Sequence, residues 1–298
     1  MAPSNGGTIF GRPSLLSRNA PDVLVTVLPQ FAVVAGIIKR VFRLKTPLVA
    51  YWFNTGHTEG LRNTVTRFGL QSVDQFVVHY RREADLYAGW FGAPKEKFRF
   101  AYFPKPPMSA DRALAPLEPY VFATGTGYRD YATFFAAVTD LPIRVIVAPG
   151  RSAVKGLTWP SNVDVRFEIT LPEIRALAKY AVANVIPLTT ESELPAGGVT
   201  YVEGLMLGST MVVSDTSGVR EYLENGETAL LVPPLDVRAM RAALQSLIDD
   251  PTLGKSLGEN AQRHGHATCL DVRCGEEFGR LLDDVRAARE LKSSSSTQ

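Results

Sequence analysis

Two periodicities alternate along this chain: short runs of Val, Ile, Leu and Phe, and longer stretches in which apolar residues recur every three or four positions. The runs read as buried strands and the longer stretches as amphipathic helices. In the second half, strands are predicted at residues 119–123, 143–148, 163–168, 182–188, 210–214 and 228–232. Helices fall there at 131–138, 171–180 and 236–249, with another running from about Thr200 to a closing glycine, Gly208. In the first half the pattern predicts strands at 22–27, 48–53, 73–79 and 98–102, and helices at 31–44 and 84–91. A Pro-rich link at 104–119 separates the halves. Apolar strands interleaved with amphipathic helices call for parallel sheets covered on both faces, an α/β architecture. Ligands then bind outside the carboxyl ends of the strands.

Chemistry concentrates in residues 195–234, PAGGVTYVEGLMLGSTMVVSDTSGVREYLENGETALLVPP. A helix opening behind Gly197 and Gly198 offers main-chain N–H groups without intrahelical partners at the positive end of its dipole. A diphosphate fits against Gly198, Val199 and Thr200. Glu203, one turn further in, is placed to accept from ribose hydroxyls. The same spacing also describes an ordinary βα turn with tightly packed glycines and a surface glutamate. At the end of the first strand of this half, Gly125 and Gly127 leave room for a close approach to phosphate, and Arg129 supplies a forked cation. A surface ion pair between Arg129 and Asp130 is the other reading, and Arg151 and Lys155 are the alternative cations.

The stretch from Glu203 to Asp250, EGLMLGSTMVVSDTSGVREYLENGETALLVPPLDVRAMRAALQSLIDD, resembles the donor-binding domain of retaining glycosyltransferases of the GT-B fold, family 4. The resemblance implies two Rossmann-like parallel-sheet domains facing a cleft. It also implies a glutamate on this helix at the nucleotide ribose, a glycine turn at the diphosphate and a Gly-x-x-Glu after the next strand, here Gly218 to Glu221. Where the family places a second glutamate, eight residues before the first, this chain has Pro195, and Glu193 is the nearest carboxylate. In the family's phosphate loop an arginine precedes a Lys-Gly pair; here Arg129 falls at the lysine, Asp130 at the glycine and Thr126 at the earlier arginine. The resemblance places the nucleobase against residues 167–170, Phe167, Glu168, Ile169 and Thr170, with Ile169 as the apolar wall; strand-end packing describes these equally.

The first half is short for that family. About three further βα units would precede Asp22, and the first 21 residues do not supply them, so either the sequence begins inside the N-terminal domain or that domain is abridged. The expected division is an N-terminal acceptor-side domain at 1–117, a donor-binding domain at 118–268, and a crossover helix with a disordered Ser-rich tail at 269–298. VAYWFNTGH, ending at His57, resembles the loop where the family carries a histidine facing the transferred sugar; the aligned position is Phe53 or Asn54. His57 and Asn54 are therefore the candidate catalytic residues beside Arg129. A loop histidine can donate to a sugar hydroxyl or carry a proton near neutral pH. His79 reads as structural, and His264 and His266 as surface residues.

Composition narrows the class without changing it. The chain has 298 residues, 45 % apolar and 21 % charged, which suits a globular protein of about two domains. A net charge of +2 with no basic run between aromatics argues against nucleic acid as a partner. Cys269 and Cys274, five apart on a predicted helix, suit neither a disulfide framework nor zinc. The expected compartment is a reducing cytoplasm, since the first residues show no secretion signal. Residues 31–45, FAVVAGIIKRVFRLK, open on Phe31 and gather Lys39, Arg40, Arg43 and Lys45 at the far end. Such a segment lies in a membrane interface at the inner face or serves as a core helix between strands; it is too short to span.

The sequence therefore predicts a metal-independent transferase that moves a sugar from a nucleotide diphosphate sugar to a glycan or lipid-linked hydroxyl with retention, needing no cofactor. A non-catalytic GT-B-like protein that binds nucleotide sugar remains the alternative, favoured by Pro195 and Asp130. A sugar-nucleotide epimerase is a third reading.

Overall fold

A computed structural model describes residues 21–295. The chain divides into two compact units, one holding residues 21–100 together with residues 278–295, the other Ala101–Glu277. This division falls ahead of the expected boundary at 117–118. The reason is packing: Met108, Ala110 and Ala115 of the Pro-rich link lie against the core of the second unit, and the Tyr180 hydroxyl donates to the Ala110 carbonyl (3.1 Å).

The first unit is a four-stranded parallel sheet in the order β1-β2-β3-β4, with α1, α2 and α3 in its crossovers. Its elements are β1 Leu24–Val27, α1 Pro29–Val41, β2 Leu48–Tyr51, α2 Gly60–Leu70, β3 Gln75–Val78, α3 Arg81–Phe91 and β4 Phe98–Phe100. Hydrophobic patterning does not reveal α2, because Leu61, Val65 and Phe68 are exposed and only Gly69 and Leu70 are buried. That helix crosses α1 at bare backbone. A methyl group on Gly36 would overlap the Gly69 carbonyl, and one on Gly69 would overlap the Val33 carbonyl. Gly36→Ala should therefore destabilise the unit by about 2–3 kcal/mol in urea unfolding, because overlapping main-chain atoms have no rotamer to yield. The roughly 1 kcal/mol of added helix propensity does not offset this.

The second unit is a six-stranded parallel sheet in the order β10-β9-β8-β5-β6-β7. In chain order it holds β5 Tyr120–Gly125, α4 Tyr131–Val138, β6 Arg144–Pro149, β7 Val163–Val165, α5 Leu171–Tyr180, β8 Ala183–Ile186, α6 Gly198–Leu207, β9 Met211–Ser214, β10 Leu230–Val232, α7 Val237–Asp249 and α8 Pro251–Thr268. Its core is aliphatic and aromatic, with Val121, Phe134, Val145, Val185, Val212 and Leu244 inaccessible. Side-chain caps fix the starts of four helices: Asp130 accepts from Thr133 N–H (3.0 Å), Asp236 from Ala239 N–H (2.9 Å), Asp250 from Thr252 N–H (2.9 Å), and Thr170 forms a capping box with Glu173. The strand expected at 163–168 stops at Val165. β7 is an edge strand with a partner on one side only, and the chain turns away after Arg166 donates to the Val147 carbonyl (2.8 Å).

Cys269 and Cys274 do not share a helix. α8 ends at Thr268 and α9, Asp271–Ser295, begins beyond a bridge between Lys105 and Leu270. Both thiols are free and buried, and burial raises both, that of Cys274 to about 11. α9 runs through Ser295 where a disordered tail is expected; residues 296–298 of that tail, and residues 1–20, lie outside the described residues. From Phe278 onward α9 belongs to the first unit, where the Phe278 ring lies 4.4 Å from that of Tyr51.

Candidate functional site

In the six-stranded sheet the chain leaves β5 toward β6 and β7, then returns to the other side of β5 for β8, β9 and β10. The carboxyl ends of β5 and β8 thus frame a topological switch point, the place where an open α/β sheet offers a crevice to ligands. Two loops meet there. Asp130 N–H donates to the Pro187 carbonyl (2.9 Å), and Thr189 N–H to the Tyr128 carbonyl (3.1 Å). The loop after β8 closes at Gly197, whose φ of 83° caps α6. Behind it the N–H groups of Gly198 and Val199 donate to no acceptor among the described residues. Thr200 differs from expectation: its N–H is taken by the Gly197 carbonyl (2.9 Å), so it offers its hydroxyl rather than its main chain.

That hydroxyl meets Arg129. The guanidinium donates from Nη2 to Thr200 Oγ1 (2.8 Å), from Nη1 to the Gly127 carbonyl (2.9 Å) and from Nε to the Thr124 carbonyl (3.1 Å). Gly125 makes this fold-back possible, since a side chain there would start 2.6 Å from Arg129 Nε. Three of the five guanidinium N–H donors are occupied and two remain. The expected surface pair with Asp130 does not form, because the Asp130 carboxylate caps α4. Burial lowers the Arg129 pKa, and the groups whose charge opposes that shift are the phenols of Tyr131 and Tyr201. No carboxylate pairs with Arg129 among the described residues. A half-buried cation beside a helix N-terminus, itself partly positive, leaves an unmatched positive site shaped for an anion.

One turn along α6 from Thr200, Glu203 accepts from Lys105 Nζ at 2.7 Å, with side chains 21 % and 19 % exposed. Lys105 carries no motif and sits 98 positions away in the chain, so sequence reasoning does not find it. Behind Glu203, a cavity of about 20 Å³ is lined by Thr124, Arg175, Asn184 and Thr200 among others. Arg175 Nε and Asn184 Oδ1 are buried without partners among the described residues.

The remaining predicted residues fall elsewhere. Ile169 packs against the core cluster of Tyr120, Phe122 and Ile146, and Thr170 is committed to capping α5. Phe167 is exposed beneath the Arg151 guanidinium, 4.6 Å from its centroid, and Arg151 also approaches Glu168 (3.8 Å). Lys155 and Glu193 are exposed, and Pro195 is half-buried. Gly218, with φ 86°, opens a short 3-10 turn that holds Glu221. In the first unit, Phe53 faces the core against Phe76 and Tyr87, which removes it as a sugar contact, whereas Asn54 is exposed. The exposed His57 ring lies 5.4 Å from that of Trp90, and His79 is buried. His266 is exposed, but His264 is half-buried with Nε2 enclosed, which corrects the surface assignment.

Residues 155–264, which include α6 and the Gly218 turn, match the family described as Glycosyl transferases group 1. D-rhamnosyltransferase WbpZ of Pseudomonas aeruginosa is 32 % identical over 133 residues, 42 % of this chain and 33 % of that protein. The match to the curated relatives thus spans about a third of their length. The lipopolysaccharide core mannosyltransferase LpcC of Rhizobium leguminosarum is 30 % identical over 121 residues, 39 % of this chain and 33 % of its own length. Among solved structures, HepE of Anabaena in complex with UDP superposes with a TM-score of 0.68 over 88 % of this chain and 79 % of that one, at 15 % identity. The fold is that of the GT-B glycosyltransferases, two parallel α/β sheets.

Proposed function

We propose that this chain transfers a hexose from a nucleoside diphosphate sugar to a hydroxyl of a glycan or a lipid-linked acceptor, with retention of configuration and without a metal ion. The observation that carries the reading is the Arg129 guanidinium, unpaired with any carboxylate among the described residues, beside the free N–H groups of Gly198 and Val199 at the switch point. HepE, similar in fold, is solved with UDP and with UDP-glucose. In the proposed reaction the bond between the anomeric carbon and the diphosphate breaks and its electron pair stays on phosphate. The acceptor oxygen bonds to the same face, and its proton passes to the departing phosphate. Arg129 and the α6 N-terminus meet the charge that builds on the leaving group, a task that positioned donors perform without metal. Gly125 and Gly127 give the phosphates room, Glu203 accepts from the ribose, and neither Glu193 nor Glu203 forms a covalent intermediate. His57 and Asn54 are the proposed sugar-side residues of the first unit.

Nucleotide release from a panel of UDP-, GDP- and dTDP-sugars, with and without a hydroxyl acceptor, tests this. Release of nucleotide from one donor supports the transferase. Binding without release supports a non-catalytic nucleotide-sugar protein, the reading favoured by Pro195 at the second glutamate position.

The proposed location is the cytoplasm, with peripheral contact at the inner membrane face through residues 31–45. Among the described residues no helix is long and apolar enough to cross a membrane. Phe31, Val34, Val41 and Phe42 are exposed on and just past α1. Lys39 is paired with Asp74, and Arg40 stacks on Phe68 (4.4 Å) while bonding Gln71 (3.1 Å), so Arg43 and Lys45 are the exposed cations of the segment with no such partner among the described residues. At about 1 kcal/mol per cation near an anionic surface, Arg43→Ala with Lys45→Ala should weaken vesicle binding on the order of tenfold to thirtyfold at low salt. Cosedimentation with anionic and neutral vesicles reads this. Equal, negligible binding to both removes the membrane contact.

A further inference from the structure

Glu203 would be a poor ribose acceptor if its carboxylate were free to rotate. Immobilising a long side chain on binding opposes the bonds it makes. Lys105 removes that freedom in advance. Its main chain is clamped on both sides, N–H to the Cys269 carbonyl (2.8 Å) and carbonyl to Asp271 N–H (2.9 Å), so the foot of the side chain is fixed in the junction between α8 and α9. From there Nζ reaches Glu203 Oε1 at 2.7 Å, and it is the one cation within ion-pair distance of that carboxylate among the described residues. Both side chains are mostly buried, where the attraction is screened less than on an open surface. A carboxylate has about four acceptor positions, so one bond to Lys105 leaves the rest for a ligand.

The placement on α6 is also informative. Thr200, which holds Arg129, and Glu203, which holds Lys105, are three residues apart and share one helix face, about 4.5 Å apart along the axis.

We propose that Lys105 is a positioning residue that orients the Glu203 carboxylate toward the 2′-hydroxyl of a nucleoside diphosphate, so that this site selects ribonucleotides over 2′-deoxyribonucleotides. The proposal rests on the donor-site reading given above. A buried acceptor aimed at a hydroxyl discriminates strongly against the analogue that lacks it, because the acceptor is then left unpaired.

The test is calorimetric titration of the full chain with UDP, GDP and their 2′-deoxy counterparts, for the wild type, Lys105→Met, Lys105→Arg and Glu203→Gln. The wild type should bind one ribonucleotide about tenfold or more tightly than its deoxy form, the range for a hydrogen bond to a charged group. Lys105→Met should lose about that factor for the ribonucleotide and almost nothing for the deoxynucleotide. Lys105→Arg should keep most of the discrimination, and Lys105→Met combined with Glu203→Gln should lose no more than either alone, as coupled residues do. Equal weakening of ribo and deoxy forms in Lys105→Met would show a purely structural ion pair and overturn the proposal, as would no change in either. If the folded wild type binds none of the four nucleotides, the donor-site reading itself fails, an outcome distinct from a nucleotide site indifferent to Lys105.

Discussion

Arg129→Ala should lower sugar transfer about a hundredfold while weakening donor binding much less. As the sugar bond breaks, charge accumulates on the diphosphate, and a guanidinium fixed beside it interacts more strongly with that state than with the bound donor. Only the difference accelerates the reaction. Arg129 is fixed before any ligand arrives, with bonds to Thr124, Gly127 and Thr200 at 3.1, 2.9 and 2.8 Å, so little reorganisation accompanies the reaction. Losing one preorganised donor of this kind costs on the order of a hundredfold in turnover. The burial that lowers the Arg129 pKa removes water that would otherwise screen it. Steady-state rates and donor affinities of the variant, measured together, decide the point. A loss of affinity with unchanged turnover would make Arg129 an anchor for the donor and nothing more.

Glu203→Ala should weaken nucleotide binding by about 1.5–3 kcal/mol, the range for hydrogen bonds to a charged group. Two effects follow. The ribose hydroxyls lose their acceptor, which lowers affinity, and the Lys105 ammonium, only 19 % exposed, is left without its partner. The second effect is present with and without nucleotide, so it falls on stability, which thermal unfolding of the unliganded variant reads. Calorimetric titration with UDP and GDP reads the first. Unchanged affinity would take Glu203 out of the site.

Much of the second unit is legible in the sequence because its signals are local. Asp130 before an apolar run, Thr170 three residues ahead of Glu173, and Gly208 past the end of α6 mark helix boundaries by chemistry acting over one turn. The helices predicted at 131–138 and 171–180 accordingly coincide with α4 and α5. Strand ends are less legible because they depend on where a neighbour stops pairing, which is why β7 ends at Val165. α2 escapes for the opposite reason, since its apolar residues face outward and a glycine contact holds it to α1.

The candidate site divides the same way. The Gly-Gly turn and the loop of Gly125, Gly127 and Arg129 announce themselves by residue type. Their meeting does not, because Arg129 and Thr200 are 71 positions apart and the switch point exists only once the strand order is known. Lys105 is invisible for the same reason and lacks even a motif. Thr200 and Thr170 show how a short polar residue can be assigned to a ligand by pattern and prove to be engaged with the protein: one hydroxyl accepts from Arg129, the other caps α5.

The central claim is that the carboxyl ends of β5 and β8 form a site for a nucleoside diphosphate sugar. The most direct measurement is calorimetric titration of the full chain with UDP- and GDP-sugars, repeated with the free nucleoside diphosphate as competitor and with Arg129→Ala combined with Glu203→Ala. The account predicts saturable one-to-one binding of at least one donor, displaced by its nucleoside diphosphate and weakened about tenfold to a hundredfold in the double variant. A folded chain that binds no donor and no nucleoside diphosphate, or a double variant that binds as the wild type does, would contradict it.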